Sequence, residues 1–260
     1  MSIRFDDKVA IVTGAGGGLG RAYALELAKR GAKVAVLDRN GAGAKALAAE
    51  IGGIGVECDI TSTESVVQAL AAASAAHGPA RLLMNIAGIG SARRIVGKDG
   101  SPAPLEDFQR VVNVNLIGTY NVTRLAAAEM VKLEPLVDDA NSGERGVVVC
   151  TASVAAFDGQ VGQQAYSASK GGVVAMTLPM ARDLAQFGIR VCTIAPGIFL
   201  TPLLAELPQP VQDSLAASIP FPKRLGKPEE FAQLAASIVE NMALNGETIR
   251  IDGALRMAPR

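Results

Sequence analysis

Short apolar runs rich in β-branched residues alternate along this chain with alanine-rich segments of helical periodicity. The apolar runs are KVAIVT, KVAVLD, GVEC, RLLMNIA, GVVVCTA, IRVCTIA and ETIRID. The segments between them include GRAYALELAKRG, TESVVQALAAASAAHG and PEEFAQLAASIVEN, whose apolar residues return at helical spacing. Strands that alternate with helices form βαβ units, and continuously apolar strands are typical of a sheet buried on both sides. The sequence therefore predicts an α/β fold, a doubly wound parallel sheet with helices on both faces.

No charge run, repeat or Gly/Ser linker divides this alternation, so we expect a single domain over residues 1–260. Two segments interrupt this alternation of predicted strands and helices. Residues 91–104, SARRIVGKDGSPAP, combine basic residues with glycine and proline and are interpreted as a loop. Residues 199–230 contain several prolines around a short apolar helix, and we expect this irregular segment to act as a lid or substrate loop.

Composition excludes several classes of protein. The 25 basic and 25 acidic residues balance, so no overall field favours nucleic acid or anionic lipid as a partner. Cys58, Cys150 and Cys192 are far apart and lie in or beside apolar runs, which favours buried thiols over disulfides. His77 is the one histidine, and its segment resembles a helix end, so we expect neither a Cys/His metal site nor a Ser-His-Asp hydrolase.

The first residues, MSIRFDDKVAIVTG, place charges ahead of a short apolar run that ends at glycine. Signal and transit peptides have a different pattern, and no apolar stretch of the sequence is long enough to span a bilayer. The expected location is the cytoplasm, although a leader removed from a longer precursor would leave no trace.

The first predicted strand ends in a glycine-rich turn, TGAGGGLGRA, with Gly14, Gly18 and Gly20 ahead of a predicted helix. Such a turn lets the backbone approach a pyrophosphate at the helix N-terminus. Asp38 ends the second strand at the spacing of a dinucleotide-binding fingerprint, where a carboxylate accepts the ribose hydroxyls and repels a 2′-phosphate. NAD is therefore favoured; Arg39 keeps NADP as an alternative, and Asp38 could instead be a helix cap or turn residue.

Tyr166 and Lys170 are four residues apart in QQAYSASKGG, so a helix would put both on one face. A phenol that serves as general base needs a pKa below its usual value of about 10, and a neighbouring cation favours the phenolate. Ser153 follows the predicted strand VVVCTA and could hold the substrate oxygen. These three residues would bind an alcohol and accept its proton, leaving hydride transfer to a nicotinamide. They could also be structural hydrogen-bond partners.

These motifs, in this order along nearly the whole chain, resemble the short-chain dehydrogenase/reductase family, which implies a Rossmann-type fold. TGAGGGLG is similar to the family's cofactor turn, YSASK to its YxxxK motif, and Ser153 stands thirteen residues before Tyr166, as the family has it. MNIAG replaces the usual NNAG. The resemblance implies that Asn115, in NVNLIGTYNV, holds a water linking Lys170 to solvent. Alone, such an asparagine is more often a satisfied structural residue.

The resemblance also implies a set of cofactor contacts at the glycine turn, the ends of the strands and the segment APGIFLT. They are Gly14, Gly17, Gly18, Leu19, Gly20, Asp38, Asp59, Ile60, Asn85, Ile86, Ala87, Tyr166, Lys170, Pro196, Ile198, Phe199 and Thr201. Ser153 and Tyr166 are the implied substrate contacts.

Within the family, LEDFQRVVNVNLIGTYNV, PFPKRLGKPEEFAQL and LNGETIRIDGALRM resemble the branch of type 2 3-hydroxyacyl-CoA dehydrogenases, which also act on hydroxysteroids. That branch implies NAD, 3-hydroxyacyl-CoA substrates, a homotetramer and, in a eukaryote, the mitochondrial matrix. An NADPH-dependent 3-oxoacyl-carrier-protein reductase is an alternative, disfavoured by Asp38 and by the lack of a basic residue at Gly16, Gly17 or Gly18. A dinucleotide-sensing regulator or scaffold is another, although it would not need the Tyr166–Lys170 pair.

Two further expectations concern surfaces. Arg93, Arg94 and Lys98 follow the fourth strand, so the loop should border the substrate entrance, where these side chains could contact CoA phosphates. The alternative is that they are ordinary solvated charges. The helical segments that begin near Leu105 and Ala165 are rich in alanine and valine, and we expect them to pack between subunits.

Overall fold

The computed structural model describes residues 5–138 and 141–259, so residues 1–4, 139, 140 and 260 of the predicted domain lie outside it. A seven-stranded sheet forms the centre of the molecule, with all six strand pairings parallel. Its strands are β1 (Val9–Thr13), β2 (Lys33–Asp38), β3 (Ile54–Glu57), β4 (Leu82–Asn85), β7 (Gly146–Thr151), β8 (Ile189–Pro196) and β9 (Thr248–Ile251), and the intervening β5 (Leu136–Asp138) and β6 (Asn141–Glu144) form a separate antiparallel pair. The order in the sheet is β3-β2-β1-β4-β7-β8-β9.

Helices cover both faces of this sheet. They are α1 (Gly18–Lys29), α2 (Gly41–Ile51), α3 (Thr63–His77), α4 (Leu105–Val112), α5 (Thr119–Met130), α6 (Gln164–Ala185), α7 (Pro202–Ala205), α8 (Gln209–Ala217) and α9 (Pro228–Glu240). Apolar residues of α1, α2 and α9 pack into one core, and those of α3, α5 and α6 pack into the other. The predicted doubly wound α/β sheet is thus confirmed.

The five inner strands, β1, β2, β4, β7 and β8, are apolar at successive positions because each of them contributes to both cores, whereas the edge strands β3 and β9 contribute to one core each. In β1, Ala10 and Val12 belong to the core beneath α1, whereas Ile11 belongs to the core beneath α3. Side chains of a strand point alternately to opposite faces, so a sheet that is covered twice needs apolar residues without interruption. The three cysteines are buried and unpaired, as expected.

Local signals explain where the elements end. The Asn40 side chain accepts a hydrogen bond from the Gly43 N–H and caps α2, and Ser62 caps α3 in the same way. Residues 91–104 form a loop, as the sequence predicts, with a single bridge between Val96 and Pro102. The segment 199–230 holds two helices, α7 and α8, where one short helix is expected. Within the described ranges, no helix has the length and hydropathy to cross a membrane.

Candidate active site

A cleft of about 850 Å³ lies at the carboxyl ends of the parallel strands, where ligands bind in open α/β sheets. Its lining includes most of the cofactor contacts that the sequence predicts. These are Gly14, Gly17, Leu19, Gly20, Asp38, Asp59, Ile60, Ile86, Ala87, Tyr166, Lys170, Pro196 and Thr201.

The glycine turn is packed so tightly at Gly14 and Gly20 that side chains would not fit there. Gly14 has φ +67°, and a Cβ atom there would lie 2.5 Å from the Ala87 Cα atom. A Cβ atom on Gly20 would collide with the carbonyl oxygen of Gly14. The turn therefore brings bare backbone to the cleft just before α1 begins at Gly18, which is the arrangement that suits a pyrophosphate.

Asp38 ends β2 directly beside this turn. Its Oδ2 atom accepts a 2.8 Å hydrogen bond from the Gly16 N–H, and its Oδ1 atom accepts one of 2.8 Å from the Asn40 N–H. The sequence allowed Asp38 to be a helix cap, but the residue that caps α2 is Asn40. Asp38 makes a turn contact and also lines the cleft, and the sequence reading missed its link to Gly16.

Asp59 and Ile60 form another part of the cleft wall. The Asp59 Oδ1 atom accepts hydrogen bonds from the Thr61 hydroxyl at 2.7 Å and the Thr61 N–H at 2.9 Å, and these bonds hold the pKa of the Asp59 carboxyl below its ordinary value. The charge of Arg39, another lining residue, acts in the same direction. Ile60 is held through its carbonyl oxygen, which accepts a 2.9 Å bond from the Asn121 amide.

Thr13 fastens the ends of β1 and β4 to each other beneath the cleft. Its Oγ1 atom accepts hydrogen bonds from the N–H groups of Ile86 at 3.2 Å and Ala87 at 3.3 Å. Asn85, one residue earlier, is buried, and its Nδ2 atom donates to the Thr123 hydroxyl at 2.9 Å. The structure therefore puts Asn85 below the cleft wall, while Ile86 and Ala87 are on it.

Three other predicted contacts are also outside the cleft lining. Phe199 is buried and packs edge-on against Phe231, with ring centroids 6.4 Å apart. Ile198 and Phe199 border a separate small cavity of about 130 Å³. Gly18 adjoins the lining residue Thr201, since a Cβ atom on Gly18 would lie 3.6 Å from the Thr201 Cγ2 atom.

Tyr166 and Lys170 line the cleft, and Ser153 lies next to Tyr166. Ser153 follows β7 and caps a short 3-10 helix, accepting a 3.1 Å bond from the Ala155 N–H. Tyr166 and Lys170 lie on the first turns of α6, and the Lys170 Nζ atom is 5.9 Å from the centroid of the Tyr166 ring. Lys170 is buried, and its Nζ atom donates a 2.7 Å hydrogen bond to the Thr151 carbonyl oxygen.

Burial shifts the pKa values of Tyr166 and Lys170. It raises the pKa of the Tyr166 phenol above its ordinary value, and hydrogen bonding with Ser153 opposes that shift. Burial also lowers the pKa of Lys170 to about 8. In the absence of cofactor the phenol pKa is thus raised, where the sequence argument expects it to be lowered, because loss of hydration outweighs the hydrogen bond with Ser153.

Asn115 is fully buried in a π-helix, Asn113–Gly118, that joins α4 to α5. Its amide exchanges two hydrogen bonds with the backbone of Ile89, at 2.8 and 2.9 Å, and donates a third to the Ser169 hydroxyl at 3.0 Å. These bonds occupy the amide, so the water link that the resemblance implies stays a prediction. A Cβ atom on Gly88 would lie 3.1 Å from the Asn115 Oδ1 atom and 3.4 Å from the Lys170 Nζ atom.

Sequence reasoning missed Thr13, Gly16, Thr61 and Gly88, which support the residues named by the motifs. It also missed Arg110, an exposed side chain of α4 that lines the cleft. Thr13 and Gly88 belong to the motifs TGAGGGLG and MNIAG, so the sequence offered a signal for them although it assigned them no role. Arg110 offered none, because it reaches the cleft only through the way α4 packs.

Residues 8–212 match the family model described as short chain dehydrogenase. The chain belongs to the short-chain dehydrogenase family. This dehydrogenase is 52% identical over 254 residues to 3-hydroxyacyl-CoA dehydrogenase type-2 of Homo sapiens, with 96% of each chain covered. The family makes it an oxidoreductase, and the glycine turn with Asp38 fits a nicotinamide dinucleotide.

Solved structures agree with this assignment. The dehydrogenase is similar to 3-hydroxyacyl-CoA dehydrogenase type-2 from Mycobacterium avium, with a TM-score of 0.93, 44% identity and 98% of each chain covered. It is also similar to a 3-ketoacyl-(acyl-carrier-protein) reductase from Brucella melitensis complexed with NADH. That likeness has a TM-score of 0.83 at 32% identity and covers 97% of this chain and 100% of the other.

Proposed function

We propose that this dehydrogenase uses NAD to interconvert 3-hydroxyacyl-CoA and 3-oxoacyl-CoA, with hydroxysteroids as further substrates. The observation that supports it most is that Tyr166 and Lys170 line the same cleft as Asp38, with Ser153 next to Tyr166. The human and mycobacterial relatives that carry a 3-hydroxyacyl-CoA dehydrogenase name support the choice of substrate.

Cofactor binding rests on the glycine turn and on Asp38. The bare backbone of Gly14, Gly17 and Gly20 would accommodate the pyrophosphate, and the Asp38 carboxylate would accept hydrogen bonds from the adenosine ribose hydroxyls. A 2′-phosphate would meet the negative charge of Asp38, which is why we propose NAD instead of NADP. The exposed Arg39 is the feature that favours the opposite choice.

In the oxidative direction, Ser153 holds the substrate hydroxyl and the ionised Tyr166 takes its proton. A bound nicotinamide dinucleotide supplies the acceptor for the hydride that leaves the same carbon. The carbon–hydrogen bond breaks, the carbonyl double bond forms, and the proton stays on the Tyr166 oxygen. Lys170 stabilises the phenolate while its ammonium is charged, and the positive charge of an oxidised nicotinamide acts in the same direction.

The phosphates of CoA would lie near the loop 91–104, which continues from the lining residues Ile89 and Gly90. Of the three basic residues there, Arg93 is engaged elsewhere, because its Nε atom pairs with Asp107 at 2.8 Å. Arg94 and Lys98 are exposed, so we propose that these two side chains contact the phosphates.

We also propose a homotetramer. The surface of α4 exposes Leu105 (62%) and Phe108 (40%), and α6 exposes Leu178 (42%), so these helices carry apolar area that a second copy would cover.

Initial rates with NAD and with NADP test the proposal, using 3-hydroxybutyryl-CoA, a long-chain 3-hydroxyacyl-CoA, a hydroxysteroid and a carrier-protein thioester. We expect the highest kcat/KM with NAD and a CoA thioester. A preference for NADPH with the carrier-protein substrate would support the reductase alternative instead. Dinucleotide binding without turnover of any substrate would support the regulator.

A further inference from the structure

The loop between Ser153 and Tyr166 sets the spacing of the two hydroxyl groups. Ser153 stands at the end of β7, and Tyr166 lies in the first turn of α6. The loop between them begins with the 3-10 helix Val154–Ala156 and continues through Phe157 to Gln163 outside any regular helix or strand. Its position therefore depends on what the rest of the chain holds against it.

Arg250, on the edge strand β9, contacts this loop through its guanidinium group. Its Nη2 atom pairs with the Asp158 Oδ2 atom at 2.6 Å, its Nε atom pairs with Asp252 at 2.7 Å, and its guanidinium lies 5.2 Å from the centroid of the Phe157 ring. The side chains of Arg250 and Asp158 are only 19% and 18% exposed. An ion pair with so little solvent around it is screened less than a surface pair, and the ring contact adds a cation–π attraction.

The C-terminal segment also contacts this loop, a few residues beyond Asp158. The Val161 N–H donates to the Pro259 carbonyl oxygen at 3.0 Å, and the Gln160 amide donates to the Ala258 carbonyl oxygen at 2.9 Å. From the other side, the Arg93 N–H donates to the Gly162 carbonyl oxygen at 2.7 Å. The loop is thus held on both sides by backbone that is remote in sequence.

The same C-terminal segment touches the substrate loop 199–230. The Phe221 N–H donates to the Gly253 carbonyl oxygen at 3.3 Å, and a Cβ atom on Gly253 would lie 2.6 Å from the Ile219 Cγ2 atom. Asp252 and Gly253 also border the small cavity beneath that loop. One short stretch of chain therefore contacts both the loop between Ser153 and Tyr166 and the segment 199–230.

We propose that Arg250 is a positioning residue, which through Asp158 and Phe157 holds the Ser153–Tyr166 loop in the geometry that proton transfer needs. This inference rests on the proposed function, because it assigns the pair to the dehydrogenase reaction. Small displacements of a reacting group have large effects on rate, whereas the glycine turn and Asp38 lie elsewhere in the cleft. Arg250 therefore acts on turnover and leaves dinucleotide binding unchanged.

The test compares kcat, KM and dinucleotide affinity in Arg250→Ala, Asp158→Asn and the double variant. We expect each single variant to lose about tenfold to a hundredfold in kcat, with dinucleotide affinity within about twofold of wild type. The double variant should be no worse than the poorer single variant, since Arg250→Ala already removes the pair with Asp158. Arg250→Lys keeps the charge without the planar fork and should recover part of the loss.

Arg30 offers a matched control. It follows the C-terminal end of α1, whereas the glycine turn lies at the N-terminal end of that helix. Arg30 pairs with Glu26 at 2.7 Å and with Glu240 at 2.5 Å, and its guanidinium lies 5.2 Å from the centroid of the Phe5 ring. Arg30→Ala thus removes the same kind of arrangement far from the cleft. We expect it to lower thermal stability about as much as Arg250→Ala and to leave kcat unchanged. An equal loss of kcat in both variants would reduce the role of Arg250 to general stability.

Hydrogen exchange provides a readout that does not depend on the substrate. In Arg250→Ala the amides of residues 157–163 should exchange faster, while those of β7 and β8 keep their wild-type rates. Unchanged exchange there, or a kcat within about twofold of wild type in both Arg250→Ala and Asp158→Asn, would overturn the proposal. If Arg250→Ala does not fold, the isosteric Asp158→Asn decides. Lack of turnover in the wild type would refute the proposed function, and the exchange result would then decide the positioning role by itself.

Discussion

The Lys170 Nζ atom lies 5.9 Å from the centroid of the Tyr166 ring and donates its hydrogen bond to the Thr151 carbonyl oxygen at 2.7 Å. The ammonium therefore makes its hydrogen bond to the backbone, so the effect that we propose for it on the phenol is exerted through its charge. Because Lys170 is buried, that charge is both more effective and more costly than it would be in water.

Tyr166→Phe should fold, bind dinucleotide and lose about a hundredfold to ten-thousandfold in kcat, because it removes only the oxygen that carries the proton. Steady-state rates and a dinucleotide titration measure the two effects separately. Tyr120→Phe is the matched control, since that phenol is half exposed on α5. A kcat close to wild type in Tyr166→Phe would remove Tyr166 from the mechanism.

Lys170→Ala should shift the pH profile of alcohol oxidation to higher pH, because the phenolate loses the neighbouring charge that favours it. The wild-type advantage over this variant should shrink above about pH 8, where Lys170 itself loses its proton. Rates measured from pH 6 to pH 10.5 with saturating dinucleotide test this. Parallel profiles for the two proteins would contradict it.

The stability of the protein without dinucleotide should also depend on Lys170. Burial lowers its pKa from an ordinary 10.5 to about 8 in the folded protein, so the unfolded chain binds more protons between those values and stability rises with pH there. Compared with Lys170→Met, the wild type should gain about 3 kcal/mol in free energy of unfolding between pH 8 and pH 10.5. Urea unfolding at several pH values provides the measurement, and a constant difference would show that burial does not shift this pKa.

Asp38→Ala should weaken NAD binding and relax the rejection of NADP, because the variant loses both the hydrogen-bond acceptor and the repelling charge. Glu57→Ala is a suitable control, since Glu57 is the register partner of Asp38 on β3 but does not line the cleft. The ratio of kcat/KM for the two dinucleotides is the quantity to compare. A wild type that already prefers NADP would refute the assignment of Asp38.

Replacing Arg94 and Lys98 together with alanine should raise KM for a CoA thioester, and more so at low salt, while leaving kinetics with a phosphate-free hydroxy ester unchanged. Arg93 is left intact because it is paired with Asp107. An equal effect on both substrates would indicate a disturbed loop, and no effect would show that these charges are merely solvated.

Light scattering at micromolar concentration should give the mass of a tetramer. Phe108→Glu should reduce that mass, because it puts a charge on the exposed apolar face of α4, whereas Val67→Glu on α3 should leave it unchanged. A monomeric wild type would refute the proposed assembly.

The sequence predicted the parts of this molecule that depend on local periodicity and motif order. All seven strands of the central sheet, the glycine turn and the approach of Tyr166 to Lys170 follow from patterns within short windows. These patterns did not indicate which residues distant in sequence form ion pairs or hydrogen bonds with each other. Examples are Asp107 with Arg93 and Gly16 with Asp38.

Asn85 is a motif residue whose side-chain partner the sequence did not indicate. It stands in the motif that forms the cleft wall, yet its amide bonds to Thr123 on the buried side of α5. Successive residues at a strand end point to opposite sides, so Ile86 and Asn85 cannot both face the cleft there. Phe199 likewise packs against Phe231, a partner that no local sequence pattern indicates.

The contact between Gly16 and Asp38 couples any substitution of Gly16 to the position of the Asp38 carboxylate. A Cβ atom on Gly16 would lie 2.9 Å from the Asp38 Oδ2 atom, whereas one on Gly17 would have nothing within 4 Å. A basic side chain at position 16 that held a ribose phosphate would therefore displace the carboxylate that now accepts the hydrogen bond of the Gly16 N–H. A substitution of Gly17 leaves that carboxylate where it is, so the two neighbouring glycines differ in how directly they affect cofactor preference.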